Sequence, residues 1–302
     1  MLYTRDLSGW ENWGREFQNL QAFTPLAKEI YRKNQIPFEP LSPLTPGTNA
    51  VFRSGNTVIK IYTPIETGLS GKDGFDIELF SMRHAMKCGF SSPNVLASGY
   101  IDDKYRFYYI IMEYIDAPEF QSVRASFSKD ELILLSKNFS ERLRCLNVPV
   151  KSFTPMDACA QVISNRRWDK LPKSFKEEAI SVAKCAKKEE QVYVHGDLNG
   201  DNVLYKDGEL FVIDFADSNL APAFLESVCV TVDLFDLDLG CAQSFTALSG
   251  LSLAHHLYRG LLLHAFGAEI ILQNIKKRFG DTAAQSPAHL LKALEDWSNG
   301  RY

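Results

Sequence analysis

The stretch VYVHGDLNGDNVLYKDGELFVIDFADSN, residues 192–219, constrains the fold of this chain more than any other segment. It places six acidic side chains, one histidine and three asparagines beside two short apolar runs that are typical of strands. Carboxylates at the ends of buried strands cost free energy unless a cation or a polar substrate compensates their charge. The segment therefore predicts either an exposed loop or a site that binds a cation.

Size and composition narrow the class of protein. The chain has 302 residues, enough for one large domain or two lobes, and its 45% hydrophobic and 23% charged residues are typical of a globular protein. A net charge of −4 argues against nucleic acid as a partner. Six cysteines without a CxxC pair indicate reduced thiols and a cytoplasmic protein.

Two stretches bear on targeting and membranes. The N-terminus is charged from its fifth residue and has no apolar run of the kind a signal peptide needs. The apolar run GLLLHAFGAEIILQ is interrupted by His264 and Glu269 and is too short to cross a bilayer. We therefore interpret it as a core helix and expect no membrane partner.

The periodicity of apolar residues changes near residue 115. Before it, we predict a helix over 8–34, strands within 40–62 that turn at SGN, a glycine-rich loop at 67–74, a helix from 75 to 89, and two strands within 94–115. After it, helices predominate, at 129–147, 174–188, 224–246, 251–278 and 286–298. This order predicts an α+β protein with a β-rich lobe, 1–115, and a mainly helical lobe, 116–302.

Three polar residues follow two strand-like runs. Asp197 and Asn202 come after QVYVH, and Asp214 follows LFVI, so pairing of these two strands would bring the three side chains together. Mg²⁺ prefers oxygen ligands and takes one or two protein carboxylates together with substrate phosphates. Asn202 and Asp214 suit that role, and Asp197 is then placed to orient an attacking hydroxyl or accept its proton.

Two motifs here carry a resemblance to a known family. HGDLNGDN, residues 195–202, resembles the catalytic loop of kinases with glycine in place of arginine, and VIDFADS, 212–218, resembles their metal-binding D-F-G segment. In this order the two motifs resemble the aminoglycoside phosphotransferase and choline kinase family. The resemblance implies a bilobal, protein-kinase-like fold and transfer of the γ-phosphoryl group of ATP, with Mg²⁺, to a hydroxyl of a small molecule.

The same resemblance extends to the first lobe. Lys60 lies inside the apolar run TVIKIY, where an unpaired ammonium would be costly, and Glu78 follows on the next predicted helix. By resemblance, Lys60 contacts the α- and β-phosphates and Glu78 holds Lys60. YYIIMEYI resembles the strand that leads to the adenine site, which implies that Met112 lines the pocket and that the backbone of Glu113 and Ile115 pairs with the base.

Two segments depart from the family pattern. The phosphate-covering loop lacks GxGxxG, and PGTNAVF stands in its place, with Gly47, Thr48 and Asn49 as candidate contacts. The family motif G-D-P-x-x-D is replaced by NLAPAFLESV, in which Glu226 is the nearest acid. The second departure bears on the rim of the substrate site more than on the metal ligands.

The acceptor is less determined by the sequence than the nucleotide. Gly196 removes the arginine through which many protein kinases respond to phosphorylation, and the short run from Asp214 to Pro222 leaves no segment for docking a peptide, so a small hydroxylated substrate is favoured. Acids beyond the metal strand would suit a cationic amine, although a solvated helix face is the simpler interpretation: Asp217, Glu226, Asp233, Asp236 and Asp238.

Several alternatives stay open. A protein kinase, a nucleotide-binding pseudokinase that acts as a scaffold, and a non-catalytic interaction module each remain possible, and the sequence decides neither the acceptor, nor ATP against GTP, nor the oligomeric state. His255, His256 and His264 lie on an apolar helix without carboxylates at ligand spacing, so we interpret them as core or rim residues rather than as a metal site.

Overall fold

The chain divides into two compact units. The computed structural model describes residues 1–45, 47–151, 153, 158–246 and 252–302, with the backbone alone at 158 and 159. One unit comprises Met1–Lys87 and Ser92–Asp116, and the other comprises Cys88–Ser91 and Ala117–Tyr302. Position 46 of the PGTNAVF turn, position 251 at the predicted start of a helix, and the side chain of Cys159 lie outside the described residues.

A five-stranded antiparallel sheet forms the centre of the first unit. Its order is β1-β2-β3-β5-β4, with bounds Ser42–Pro43, Ala50–Ser54, Thr57–Ile61, Val95–Asp102 and Arg106–Glu113 for β1 to β5. β2 and β3 form a hairpin with Phe52 opposite Ile59. Gly55 turns the chain at φ 59°, a conformation that glycine adopts without strain, so the predicted turn at SGN is confirmed.

Helices α1, Trp10–Glu16, and α2, Leu20–Lys33, lie in the same apolar core as the sheet. The single helix predicted over 8–34 is wrong, because Asn19 begins a new helix by accepting the N–H of Ala22 at its side chain, 3.1 Å away. Five fully buried members of this core are Trp13, Phe23, Phe52, Ile59 and Phe107.

The third helix of the first unit, α3, spans Gly71–Lys87. It begins inside the predicted loop at 67–74, where the backbone of Gly71 approaches the carbonyl of Thr63 so closely that a Cβ would lie 2.0 Å from that oxygen. Phe75 and Met82 lie on its buried face, whereas Met86 is 41% exposed in the last turn. The buried face also includes Glu78.

Helices make up most of the second unit. Their bounds are Phe120–Val123, Lys129–Leu146, Ala158–Ser164, Lys173–Ala186, Ser227–Cys229, Leu239–Thr246, Leu253–Leu263, Gly267–Ile270, Lys276–Phe279 and Pro287–Ser298 for α4 to α13. Two short antiparallel pairs accompany them. β6, Val192–Val194, pairs with β9, Asn219–Ala221, and β7, Val203–Lys206, pairs with β8, Glu209–Val212. None of the described helices is long and apolar enough to cross a membrane.

The two long helices predicted over 224–246 and 251–278 are each interrupted. Wider π-type turns occur at Val230–Leu234 and Ile271–Ile275, and the chain becomes extended at His264, between α10 and α11. Such departures from a regular α-helix are frequent at functional sites. The interruption at His264 frees its side chain from the helix surface, and that side chain contacts the loop described next.

Candidate active site

The predicted metal ligands meet at the open end of the β7–β8 hairpin. Asn202 directly precedes β7 and Asp214 lies two residues beyond β8, with Val203 opposite Val212 in register. The N–H of Ile213 donates to the carbonyl of Asn202 at 2.9 Å. The expectation that the strand before Asp197 pairs with the strand before Asp214 is wrong, because β6 pairs with β9 and it is the hairpin that brings residues 202 and 214 together.

Asp197 accepts hydrogen bonds directly from Asn202. The Nδ2 group of Asn202 donates to the carbonyl and to Oδ2 of Asp197, each at 3.0 Å, while Asn199 Nδ2 donates to Oδ1 at 3.1 Å. Burial raises the pKa of Asp197 to about 7, and the charges of Asp217 and Asp214 contribute in the same direction. A cation near these acids would offset that repulsion and favour the ionised carboxylate.

Asp214 has a strained backbone. Its φ of 56° and ψ of 75° lie in the left-handed region, which residues other than glycine seldom adopt. Strain of this kind persists where the surrounding structure enforces it, and it concentrates at functional sites. Here it is found at the carboxylate for which a metal role is predicted from the sequence.

The oxygen atoms at the hairpin end fit Mg²⁺ better than a metal held by protein alone. Because Asn202 donates from Nδ2 to Asp197, its Oδ1 atom is the part of the amide that could act as a metal ligand. Within the described ranges, no group of three or more His, Cys, Asp and Glu side chains is placed to bind a metal. One carboxylate with one amide oxygen matches an ion that takes its remaining ligands from water and phosphate.

His195 connects the loop to the strand end. Its Nδ1 accepts the N–H of Asp197 at 3.3 Å, so the ring proton resides on Nε2, which donates to the carbonyl of Ile213 at 3.2 Å. The ring is fully buried against Phe215. The histidine therefore has a structural role, linking the loop to the strand end.

Glu226 holds the same loop by accepting hydrogen bonds from its backbone, a role that the sequence analysis missed. Its carboxylate accepts the backbone N–H groups of His195 and Gly196 and an N–H of Asn147, and the residue is 3% exposed. Burial raises its pKa to about 7. The signal was Glu226 itself, the lone acid in NLAPAFLESV, one residue beyond the position of the last aspartate in the family motif G-D-P-x-x-D.

Lys60 and Glu78 form a buried ion pair in the first unit. Nζ of Lys60 lies 2.7 Å from Oε2 of Glu78, and the hydroxyl of Tyr62 donates to the same oxygen at 2.6 Å. Side chains alternate across a strand, so Lys60 points to the opposite face from Ile59 and Ile61, which lie in the core with α1 and α2. The Lys60–Glu78 pair that the family resemblance implied is present.

The remaining predicted residues are also in the first unit. Met112 is buried in β5, Ile115 is half-buried, and the N–H of Glu113 donates to the carbonyl of Asn94 at 3.0 Å. Gly47 and Thr48 are exposed and Asn49 is half-buried, in the connection between β1 and β2. The carbonyl of Thr48 accepts the indole N–H of Trp13 at 2.9 Å, which ties this connection to α1.

Comparison with known protein families shows to which family the chain belongs. Residues 71–247, more than half of the chain, match the Phosphotransferase enzyme family. The chain belongs to this family. Among curated proteins, no sequence matches it significantly. Family membership confirms the predicted enzyme class, a phosphotransferase that uses a hydroxyl of a small molecule as acceptor.

Solved structures confirm the fold of this family member. Aminoglycoside 2'-phosphotransferase-IIIa, solved with GDP, superposes with a TM-score of 0.60 at 17% identity over 94% of this chain and 100% of its own. APH(2'')-Ib, solved with ADP, gives 0.58 at 17% identity over 90% and 98%. A mutant of APH(4)-Ia, solved with ADP and hygromycin B, gives 0.56 at 16% over 90% and 97%. The predicted α+β, protein-kinase-like fold is therefore correct.

Proposed function

We propose that this protein transfers the γ-phosphoryl group of ATP, with Mg²⁺, to a hydroxyl of a small molecule. The main support for the proposal is the hydrogen-bonded pair Asp197–Asn202, which lies near Asp214 at the end of one hairpin. An alcohol acceptor needs a carboxylate that aligns it and takes its proton, next to oxygen ligands that hold the metal and nucleotide. These three side chains meet both needs.

Asp197 acts on the acceptor hydroxyl. Its Oδ1 and Oδ2 are each held by an amide N–H, from Asn199 and Asn202, so the carboxylate has a fixed direction. Burial raises the pKa of Asp197, and Mg²⁺ bound beside it would favour the ionised carboxylate, which is the form that accepts a proton. Fixed donors and a fixed acceptor contribute to rate because they need no reorganisation during the reaction.

Asn202 and Asp214 would hold Mg²⁺, which when bound neutralises charge on the β- and γ-phosphates. In the first unit, Lys60 would contact the α- and β-phosphates while Glu78 keeps its ammonium in place. Met112 would line the adenine pocket, with the backbone of Glu113 and Ile115 facing the base edge. Because the N–H of Glu113 already donates to Asn94, its contact with the base would come through the carbonyl. Gly47, Thr48 and Asn49 would cover the phosphates.

Substrate choice and cellular location are part of the same proposal. The solved relatives named above bind GDP, ADP and hygromycin B, which supports a nucleotide donor and a polyhydroxylated acceptor for this chain. Cys145, Cys185, Cys229 and Cys241 are free thiols, in keeping with a cytoplasmic protein that draws on cellular ATP.

The test is a screen for nucleoside diphosphate release. The protein is incubated with ATP or GTP, Mg²⁺ and a panel of aminoglycosides, choline, amino alcohols and sugars, and ADP or GDP is measured. Release that depends on one acceptor and disappears in Asp197→Asn supports the proposal. Nucleotide binding without release for any acceptor would favour a pseudokinase, and phosphate incorporated into protein substrates would favour a protein kinase.

A further inference from the structure

A cluster of buried side chains contacts the loop at residues 195–202 and centres on His264. This residue follows the last turn of α10, is 2% exposed, and has an extended backbone with φ −69° and ψ 139°. The chain leaves the helix at this point, which directs the imidazole toward residues 196 and 229.

The hydrogen bonds of His264 define its tautomer. Nδ1 accepts the N–H of Phe266 at 3.1 Å, so the ring proton is on Nε2. Nε2 lies 2.8 Å from the carbonyl of Gly196 and therefore donates to it. Sγ of Cys229 lies 3.4 Å from the same nitrogen and 3.9 Å from Oδ1 of Asp197.

These contacts meet on one peptide unit. The carbonyl of Gly196 and the N–H of Asp197 belong to the same planar group, whose orientation is fixed as a whole. His264 holds the carbonyl end, and His195 holds the N–H end through its Nδ1. On the other side of Gly196, Glu226 accepts its N–H.

Gly196 is the residue that most needs such support. Its φ is 83°, and a Cβ at this position would lie 2.6 Å from the carbonyl of Asp217, so only glycine fits. Glycine also has the greatest backbone freedom, which must be removed if the next residue is to point in one direction. A hydrogen bond on each side of Gly196 removes it.

We propose that His264 is a positioning residue for Asp197: by donating from Nε2 to the Gly196 carbonyl, it fixes the peptide that carries the proton-accepting carboxylate. This inference rests on the proposed function, because Asp197 is assigned its role there. The sulfur of Cys229 fills the space between the imidazole and the carboxylate and completes the support.

Two substitutions of His264 distinguish the role of its Nε2–H donor from that of the ring as a whole. His264→Gln places an amide N–H close to the position of Nε2, whereas His264→Asn reaches only the position of Nδ1 and lacks a donor to Gly196. His256→Asn is the matched control, since His256 is likewise a buried histidine, within α10, but contacts Phe224 rather than the loop. The metal ligands are unchanged in all three variants.

The first measurement is amide hydrogen exchange of a peptide covering 195–199 in the whole protein. We expect exchange at least tenfold faster in His264→Asn, within threefold of the parent in His264→Gln, and unchanged in His256→Asn. Equal acceleration in the Gln and Asn variants, or none in Asn, would overturn the proposal. This readout needs no acceptor, so it decides the role of His264 even if the parent transfers no phosphate.

The second measurement is turnover with an acceptor from the screen. We expect kcat of His264→Asn to fall tenfold or more with the KM for nucleotide within twofold of the parent, and His264→Gln to regain most of kcat. A rise in nucleotide KM with unchanged kcat, or equal loss in both variants, would overturn the proposal. Absence of turnover in the parent would count against the proposed function alone.

Discussion

Asn202 donates to Asp197 at both the backbone carbonyl and the carboxylate, with each distance 3.0 Å. The residue predicted to bind metal therefore also holds the residue predicted to accept the proton. A single amide thus links the two parts of the proposed chemistry.

Replacing Asn202 by alanine should impair both parts. We expect nucleotide-dependent thermal stabilisation to weaken because a metal ligand is lost, and kcat to fall by about 10²-fold or more because Asp197 loses an orienting donor. Asn202→Asp is the informative partner: it keeps an oxygen ligand but replaces the donor with a charge. Nucleotide binding that survives in Asp and fails in Ala, with turnover low in both, is the expected pattern. Unchanged kcat in either variant would contradict it.

Glu226 should matter through its acceptor oxygens. Glu226→Ala leaves the buried N–H groups of His195 and Gly196 without an acceptor, at a cost of about 1–3 kcal/mol for each such group. Glu226→Gln keeps one acceptor oxygen and should lose less. Thermal unfolding of the two variants beside the parent tests this, and equal midpoints for Ala and the parent would refute the assigned role.

The Lys60–Glu78 pair should show strong coupling. Removing one partner of a buried pair leaves a charge without compensation, at about 3–5 kcal/mol, whereas removing both costs less. We expect Lys60→Met and Glu78→Gln each to lower the free energy of unfolding. The double variant should lose less than the sum of the two single losses. A thermal double-mutant cycle measures the coupling. Strict additivity would contradict a direct interaction.

Buried His264 should make stability depend on pH. Burial lowers its pKa from 6.5 to about 4, so between these values the unfolded chain binds more protons than the folded one. Its contribution is present above pH 6.5 and is lost as pH falls toward 4. At about 1.4 kcal/mol for each pKa unit, the loss is about 3 kcal/mol.

This pH dependence is best measured as a difference. The free energy of unfolding of the parent minus that of His264→Gln should fall by this amount from pH 7 to pH 4. Glu226, whose raised pKa acts in the opposite sense, is common to both proteins and cancels. A difference that does not vary with pH would show that His264 is not buried in its neutral form.

The contacts that could be predicted from the sequence are those with local signals. The family resemblance implied the Lys60–Glu78 pair on a strand and the next helix, and the motif at 195–202 places Asp197 and Asn202 in one loop. The tip of the β2–β3 hairpin followed from SGN for the same reason.

The rest depended on contacts between distant segments. Which strand pairs with β6 is decided by packing, and periodicity carries no information on it, so the partner was assigned wrongly. Glu226 and His264 reach the loop across 30 and 68 residues of sequence. A break in helical backbone at residue 264 is a tertiary effect, since the apolar pattern itself continues through it.

The most direct test compares Asp197→Asn and Asp214→Ala with the parent, measuring ADP release and the thermal shift caused by ATP and Mg²⁺. We predict that neither variant transfers phosphate and that only Asp214→Ala loses the nucleotide-dependent shift, because Asp197 acts on the acceptor while Asp214 holds the metal. Turnover equal to the parent in either variant would contradict the account.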